Sequence, residues 1–288
     1  MGNSVTWKHC LLRSAVVAAA SADAALGALA PLLRRPRVQH LCFHHIATDR
    51  LNAFRHLLTI LHRDHALIGY GQAINRTRDG LFAEPALALS FDDGFHSQLA
   101  AARALEEVGA RGCFFVCPSI FDYPSRQATA RFCRERLHCP PRRLMDWDDV
   151  AELMSRGHEI GCHSLSHANL AACSPQELDD QIGLAREAIV TRLGRADHFA
   201  WPWGRWQQVT PDVVRRVFEA GFATCASAEH GCHDVAHPDP QTLCIRRVVL
   251  DTIRRPQDAL TLLALSASAS GDGGWPNEWE QAARGGER

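Results

Sequence analysis

Leu87-Ala88-Leu89-Ser90-Phe91-Asp92-Asp93-Gly94 is the stretch on which the reading of this chain turns. An apolar run with the alternation of a strand stops abruptly on two adjacent carboxylates and a glycine. Acidic groups beside a buried strand are costly unless something pairs with them. The glycine allows a sharp turn, so both carboxylates project from the strand's C-terminal end. In α/β sheets and barrels, chemistry gathers at that end. A plainer reading makes Asp92 and Asp93 caps for a helix starting near Phe95, since Asp is a favoured capping residue. These residues alone leave both readings open.

Composition narrows the class. The chain has 288 residues, a formal net charge of -1 and 46% hydrophobic residues. That suits one large α/β domain or two small ones, with ample material for a core. A near-neutral balance gives no electrostatic footprint for nucleic acid or for an anionic membrane. The 16 histidines raise the expectation of a metal site. The 11 cysteines are odd in number and scattered singly, with no Cys-x-x-Cys pair. That argues against a structural zinc ribbon and for a reducing compartment, hence a cytoplasmic protein.

Residues 1–36 carry an Ala-rich stretch from Leu11 to Ala30, too short and weakly apolar to span a bilayer. It reads as a surface or membrane-adjacent helix ending at Pro31, followed by the basic run Arg34-Arg35-Pro36-Arg37. A cleaved targeting segment is the alternative, and would make the protein exported or membrane-peripheral. Residues 37–266 form the main domain, and 267–288 are expected to be a disordered tail.

Within the domain, strands are expected at Val38–Phe43, Ala86–Phe91, Cys113–Val116, Glu159–Cys162, His198–Ala200, Ala223–Ser227 and Leu243–Val249. Helices are expected at Asn52–His65, Ser97–Val108, Asp146–Arg156, Pro175–Leu193, Pro211–Ala220 and Pro256–Ser266, from apolar periodicity and from caps such as Ser174-Pro175. Pro118–Arg143 is expected to be irregular. The rhythm of about seven strand–loop–helix units implies a parallel sheet, open or closed into a barrel. No Gly-rich phosphate loop and no Gly-x-Ser-x-Gly elbow occurs.

The second signal is His163-Ser164-Leu165-Ser166-His167. Two histidines four apart share one side if the chain turns helically, and two imidazoles with one carboxylate form a catalytic zinc pattern. Taken with Ser90-Phe91-Asp92-Asp93-Gly94, this segment resembles the two metal motifs of the polysaccharide deacetylases, the NodB-homology or carbohydrate esterase family 4 proteins. Leu144-Met145-Asp146-Trp147 and Arg156-Gly157-His158-Glu159-Ile160-Gly161 resemble that family's lead-in, and Phe199-Ala200-Trp201-Pro202-Trp203-Gly204 its third motif. The resemblance runs over residues 38–250.

It implies a distorted parallel (β/α) barrel and a divalent metal, usually zinc, on Asp93, His163 and His167. Asp92 would be the general base, with a metal-bound water as nucleophile. The Trp203 backbone N–H would hold the oxyanion, with Pro202 and Trp201 beside it. The substrate implied is an N-acetylhexosamine unit of a polysaccharide, oligosaccharide or glycoconjugate, in glycan or exopolysaccharide assembly. Three departures stand out. Ala200 occupies the place of the arginine that orients the base, and Ala223–Glu229 lacks the acidic fourth motif. The Leu-x-His fifth motif is absent near Leu243-Cys244-Ile245-Arg246-Arg247. Phe43-His44-His45 resembles the element that supplies the acid in permuted relatives, making His44 the candidate acid and His45 a rim residue; a structural role for His44 stays open. Arg246 could replace the missing arginine or pair at the surface. Trp201, Trp203 and Trp206 could stack on sugars or simply pack. His230, His233 and His237 read as a polar loop rather than a second metal site. Rival readings are a degenerate, saccharide-binding relative and a hydrolase of a non-sugar amide or O-acetyl ester.

Overall fold

The computed structural model describes residues 23–121, 125–239, 243–251, 255–268, 275–276 and 279. The start of the Ala-rich stretch and most of the expected C-terminal tail lie outside these. No described helix is long and apolar enough to cross a membrane.

Among the described residues, nine parallel strands follow in chain order: β1 Arg37–Phe43, β2 Ala66–Ile68, β3 Pro85–Phe91, β4 Gly112–Val116, β5 Glu159–Cys162, β6 His198–Ala200, β7 Thr224–Ala226, β8 Cys244–Ile245 and β9 Arg247–Val249. They pair in the order β8-β7-β6-β5-β4-β3-β1-β9, with β2 added alongside β3. Only Arg246 separates β8 from β9, so the two ends of this path meet and the sheet is a nearly closed, distorted (β/α) barrel.

The strands are buried on both faces, as parallel strands covered by helices must be. Alternate residues divide into two cores. Leu41, Phe43, Leu87, Leu89, Phe91, Phe114, Val116 and Phe199 face outward into the helix-covered layer. Val38, Ala86, Ala88, Cys113, Phe115, Ala200, Ala226 and Ile245 fill the lumen. Most lumen residues are small, as a narrow barrel requires. The same parity sends His40, Cys42 and His44 of the first strand and its end toward the lumen, and with them Ser90 and Asp92.

Several expectations are corrected. The helix Asp23–Arg34 runs through Pro31 rather than ending there. The short strand β2 and the helix Tyr70–Asp79 went unread; that helix buries Tyr70, Ala73, Ile74 and Thr77 at helical spacing within an otherwise polar sequence. The excursion after Pro118 contains the helix Arg126–Glu135, capped by Ser125, whose side chain accepts from the Ala128 N–H at 3.1 Å. The long helix from Pro175 to Leu193 contains a π-helical segment, Asp180–Leu184. Within the expected tail, Trp275 and Trp279 stack at 5.9 Å and pack against Trp206.

Candidate active site

The Asp92 N–H still donates to Phe43 O at 2.9 Å, so the base of the motif belongs to the sheet. The chain then leaves the sheet through two left-handed residues, Asp93 (φ 76°) and Gly94 (φ 70°). Glycine takes that conformation freely; for Asp93 it carries strain. The turn aims the neighbouring carboxylates in different directions.

Asp93 meets the two histidines. Its Oδ1 lies 3.3 Å from His167 Nε2 and 3.6 Å from His163 Nε2, and all three side chains are buried. Between the histidines the chain does not turn helically, as the spacing suggested. It turns through the left-handed residues Ser164 (φ 61°) and His167 (φ 56°), which brings the imidazoles to 5.1 Å between ring centres. Each Nδ1 faces a backbone carbonyl, Ala200 O at 2.7 Å for His163 and Arg136 O at 3.0 Å for His167. A carbonyl only accepts, so each Nδ1 carries a proton and each Nε2 is left facing Asp93. Burial pulls the His163 pKa down to about 4, only partly opposed by Asp92, so this ring is neutral at physiological pH.

Asp92 meets an arginine that the sequence reading missed. Arg247 donates from both terminal nitrogens, at 2.7 Å to Oδ1 and 2.7 Å to Oδ2, and its Nε donates to Ser227 O at 2.7 Å. Burial opposes the Asp92 charge, but Arg247 outweighs it and holds the carboxyl well below its ordinary value. Ala200 leaves the third-motif position without a guanidinium, and Arg247, not Arg246, supplies one. Strand parity decides between the two: Arg247 pairs with His40, whose side chain faces the lumen.

His44 follows directly from the pairing of Phe43 with Phe91, which sets it beside Asp92. Its Nδ1 lies 2.5 Å from Asp251 Oδ2, and its backbone N–H donates to Asp251 Oδ1 at 2.7 Å. Burial alone would lower its pKa; the Asp251 carboxylate, with Asp93 and Asp92 behind it, reverses this and lifts it to about 10. His44 is therefore an imidazolium, held in place by a residue no motif announced.

The family model for polysaccharide deacetylase matches residues 80–222. The chain belongs to the polysaccharide deacetylase family. Its curated relatives include a chitooligosaccharide deacetylase of Bradyrhizobium sp. (strain ANU 289), 32% identical over 76 residues, covering 26% of this chain and 33% of that one. Another, from Azorhizobium caulinodans, is 26% identical over 151 residues, covering 51% of this chain and 60% of that one. The chain thus spans a third to three fifths of the length of these relatives. The deacetylase PplD of Streptococcus pyogenes superposes with a TM-score of 0.64 at 13% identity, over 80% of this chain and 99% of that one. IcaB of Ammonifex degensii does so with 0.60 at 16% identity, over 81% and 97%. These two share the fold.

The matched span of the deacetylase model contains Asp92, Asp93, His163, His167 and Trp203, but neither His44, Arg247 nor Asp251. Of the third deacetylase motif, only Trp203 is open to a ligand. It is 38% exposed, takes φ 58°, and sets its ring 4.8 Å from that of His167. Pro202 is buried beneath it. Trp201 is fully buried, packs on Trp206 and Trp275, and spends its indole N–H on Arg205 O at 3.1 Å. It has no face for a sugar. His45 is half-buried at the rim, with Nδ1 2.8 Å from Ser97 Oγ. His233 exchanges backbone hydrogen bonds with Val38, both 2.8 Å, and is structural.

Proposed function

We propose that the chain is a metal-dependent de-N-acetylase acting on N-acetylhexosamine units of a saccharide or glycoconjugate. The observation that carries this reading is the division of labour between neighbouring carboxylates: Asp93 joins two buried imidazoles, while Asp92 is locked by Arg247. The donor set suits a divalent cation of the zinc class. Asp93 Oδ1 is buried with no hydrogen-bond donor, and both Nε2 atoms converge on it.

Such a cation, when bound, supplies Lewis-acid polarisation of the acetamide carbonyl and of the attacking water. Asp92 takes the water's proton, and Arg247 keeps its carboxylate ionised and oriented for that transfer. The Trp203 N–H, presented by the left-handed turn before Gly204, stabilises the oxyanion. His44, kept charged by Asp251, delivers a proton to the departing nitrogen. Amide and water thereby become acetate and free amine. The exposed Trp203 ring beside His167 offers an apolar face to a sugar, and the relatives named chitooligosaccharide deacetylase support that substrate class.

Acetate release from N-acetylglucosamine oligomers is the direct test. The wild type releases acetate; Asp92→Asn and the His163→Ala, His167→Ala double variant do not, and the latter also loses bound metal. Undiminished release by Asp92→Asn refutes the mechanism.

A further inference from the structure

Beside the Asp93 site stands a second set of converging donors. The pairing of Phe43 with Phe91 and of Cys42 with Ser90 aligns the ends of β1 and β3, and parity turns Cys42, His44 and Asp92 toward one another across that seam. Cys42 Sγ lies 3.4 Å from Asp92 Oδ2, and one ligand atom from each of Cys42, His44 and Asp92 falls within 4.8 Å of the others. His44 gives its Nδ1 to Asp251, leaving Nε2 as the free donor, the same carboxylate–imidazole arrangement that orients metal-binding histidines. We propose that Cys42, His44 and Asp92 form a second, weaker site for a thiophilic divalent cation such as zinc or cadmium, and that filling it inhibits the enzyme.

The two sites differ in kind. The Asp93 site offers one carboxylate and two imidazoles, whereas the second offers a cysteine sulfur that ligates as a thiolate once its proton is lost, which selects zinc and cadmium over magnesium or manganese. It binds more weakly because the Arg247 cation already holds both Asp92 oxygens, and because a cation on Asp93 adds further repulsion. Ligation expels the Cys42 thiol proton and the His44 imidazolium proton to solvent. It also occupies Asp92. Proton donor and proton acceptor are then withdrawn together, so acetate release rises with the first equivalent of zinc and falls with the second. Only this inhibition rests on the deacetylase reading; the site itself is read from metal binding.

Metal-free protein is dialysed against rising zinc, and separately titrated with cobalt(II) as a spectroscopic probe. The wild type should take up a second, weaker zinc equivalent, and its second cobalt equivalent should bring a thiolate-to-metal charge-transfer band. Cys42→Val should lose both while keeping the first equivalent; if that variant does not fold, Cys42→Ser should lose the band. The His163→Ala, His167→Ala variant should keep the band. A wild type saturated by one equivalent, or a second equivalent whose band survives in Cys42→Val or Cys42→Ser, overturns the proposal. A second bound equivalent, with no acetate release even at the first, would refute the deacetylase reading and leave the second site standing.

Discussion

Replacing Arg247 with methionine keeps most of the side-chain volume and removes the charge that faces Asp92. Both residues are buried, so water cannot take over the lost bonds. Two charge-assisted hydrogen bonds of 2.7 Å disappear, worth roughly 1.5–3 kcal/mol each. Their sum agrees with the ~3–5 kcal/mol typical of stripping one partner from a buried ion pair. The sign with pH follows from Asp92. In the wild type its pKa is depressed, so its contribution is present above the ordinary carboxylate range and is lost as pH falls through the folded value. In Arg247→Met, burial is opposed only by the weaker pull of the His163 and His44 imidazoles, so that pKa rises. The penalty is then full at neutral pH and shrinks as acid protonates Asp92, before the unfolded-state value of about 3.9 is reached. The assay is urea unfolding of metal-free wild type, Arg247→Met, Asp92→Asn and the double variant, at neutral and mildly acidic pH. The double variant should show a coupling energy of about 3 kcal/mol or more at neutral pH, from the lost bonds above. A cost below ~1 kcal/mol for Arg247→Met, with no dependence on pH, would refute a buried, structurally coupled Arg247–Asp92 pair.

Asp251→Asn removes the charge that lifts His44 to about 10, so the alkaline limb of the pH–rate profile should move down toward the ordinary histidine value of about 6.5 or below; an unmoved limb assigns the acid elsewhere. A Cβ on Gly204 would lie 2.4 Å from the Ala228 backbone N at a φ of +65°. Gly204→Ala should therefore destabilise by more than ~1 kcal/mol in thermal unfolding and depress activity by shifting Trp203. Trp275 is 8% exposed and packs on Trp201 and Trp206; Trp275→Ala should cost about 3–5 kcal/mol, the range of buried aromatic truncations, and a silent substitution would detach it from the core.

What could be read from sequence was what a short segment carries whole. Asp92-Asp93-Gly94 states in three residues that a strand ends on paired acids, and His163-Ser164-Leu165-Ser166-His167 spaces two imidazoles within one turn. The strand β4 was legible as a buried apolar run behind a glycine, and β5 and β6 as short apolar stretches, Ile160–Cys162 and Phe199-Ala200, each behind one polar residue. β2 was not, since its Ala66–Ile68 run is three residues long and rests on β3 for its pairing. Arg247 lies 155 residues from Asp92 and reaches it only through the pairing of β9 with β1. With Arg246 and Arg247 adjacent, a register shift of one residue exchanges which of them enters the barrel. No local pattern settles that choice. Asp251 was hidden for the same reason, as a single acid just past a strand whose neighbour is β1.

This contrast explains how a guanidinium reaches Asp92 although Ala200 stands where the resemblance leads one to expect an arginine. The Asp92 carboxylate meets its guanidinium at a point that borders two walls of a narrow lumen. From β6 the approach is closed: Ala200 packs in the lumen core, and its carbonyl already holds His163. From β9 the approach is open, and the guanidinium crosses the Phe115 ring at 5.1 Å before it reaches Asp92. The cost is paid locally in backbone strain. Asp93, Ser164, His167 and Trp203 all adopt left-handed conformations around the same centre, each unfavourable by about 1 kcal/mol or more. A barrel buried on both faces of its strands is rigid enough to sustain them. Charge can therefore arrive from a different strand only while the turns at Asp93 and His163-to-His167 keep the carboxylates and imidazoles where they are.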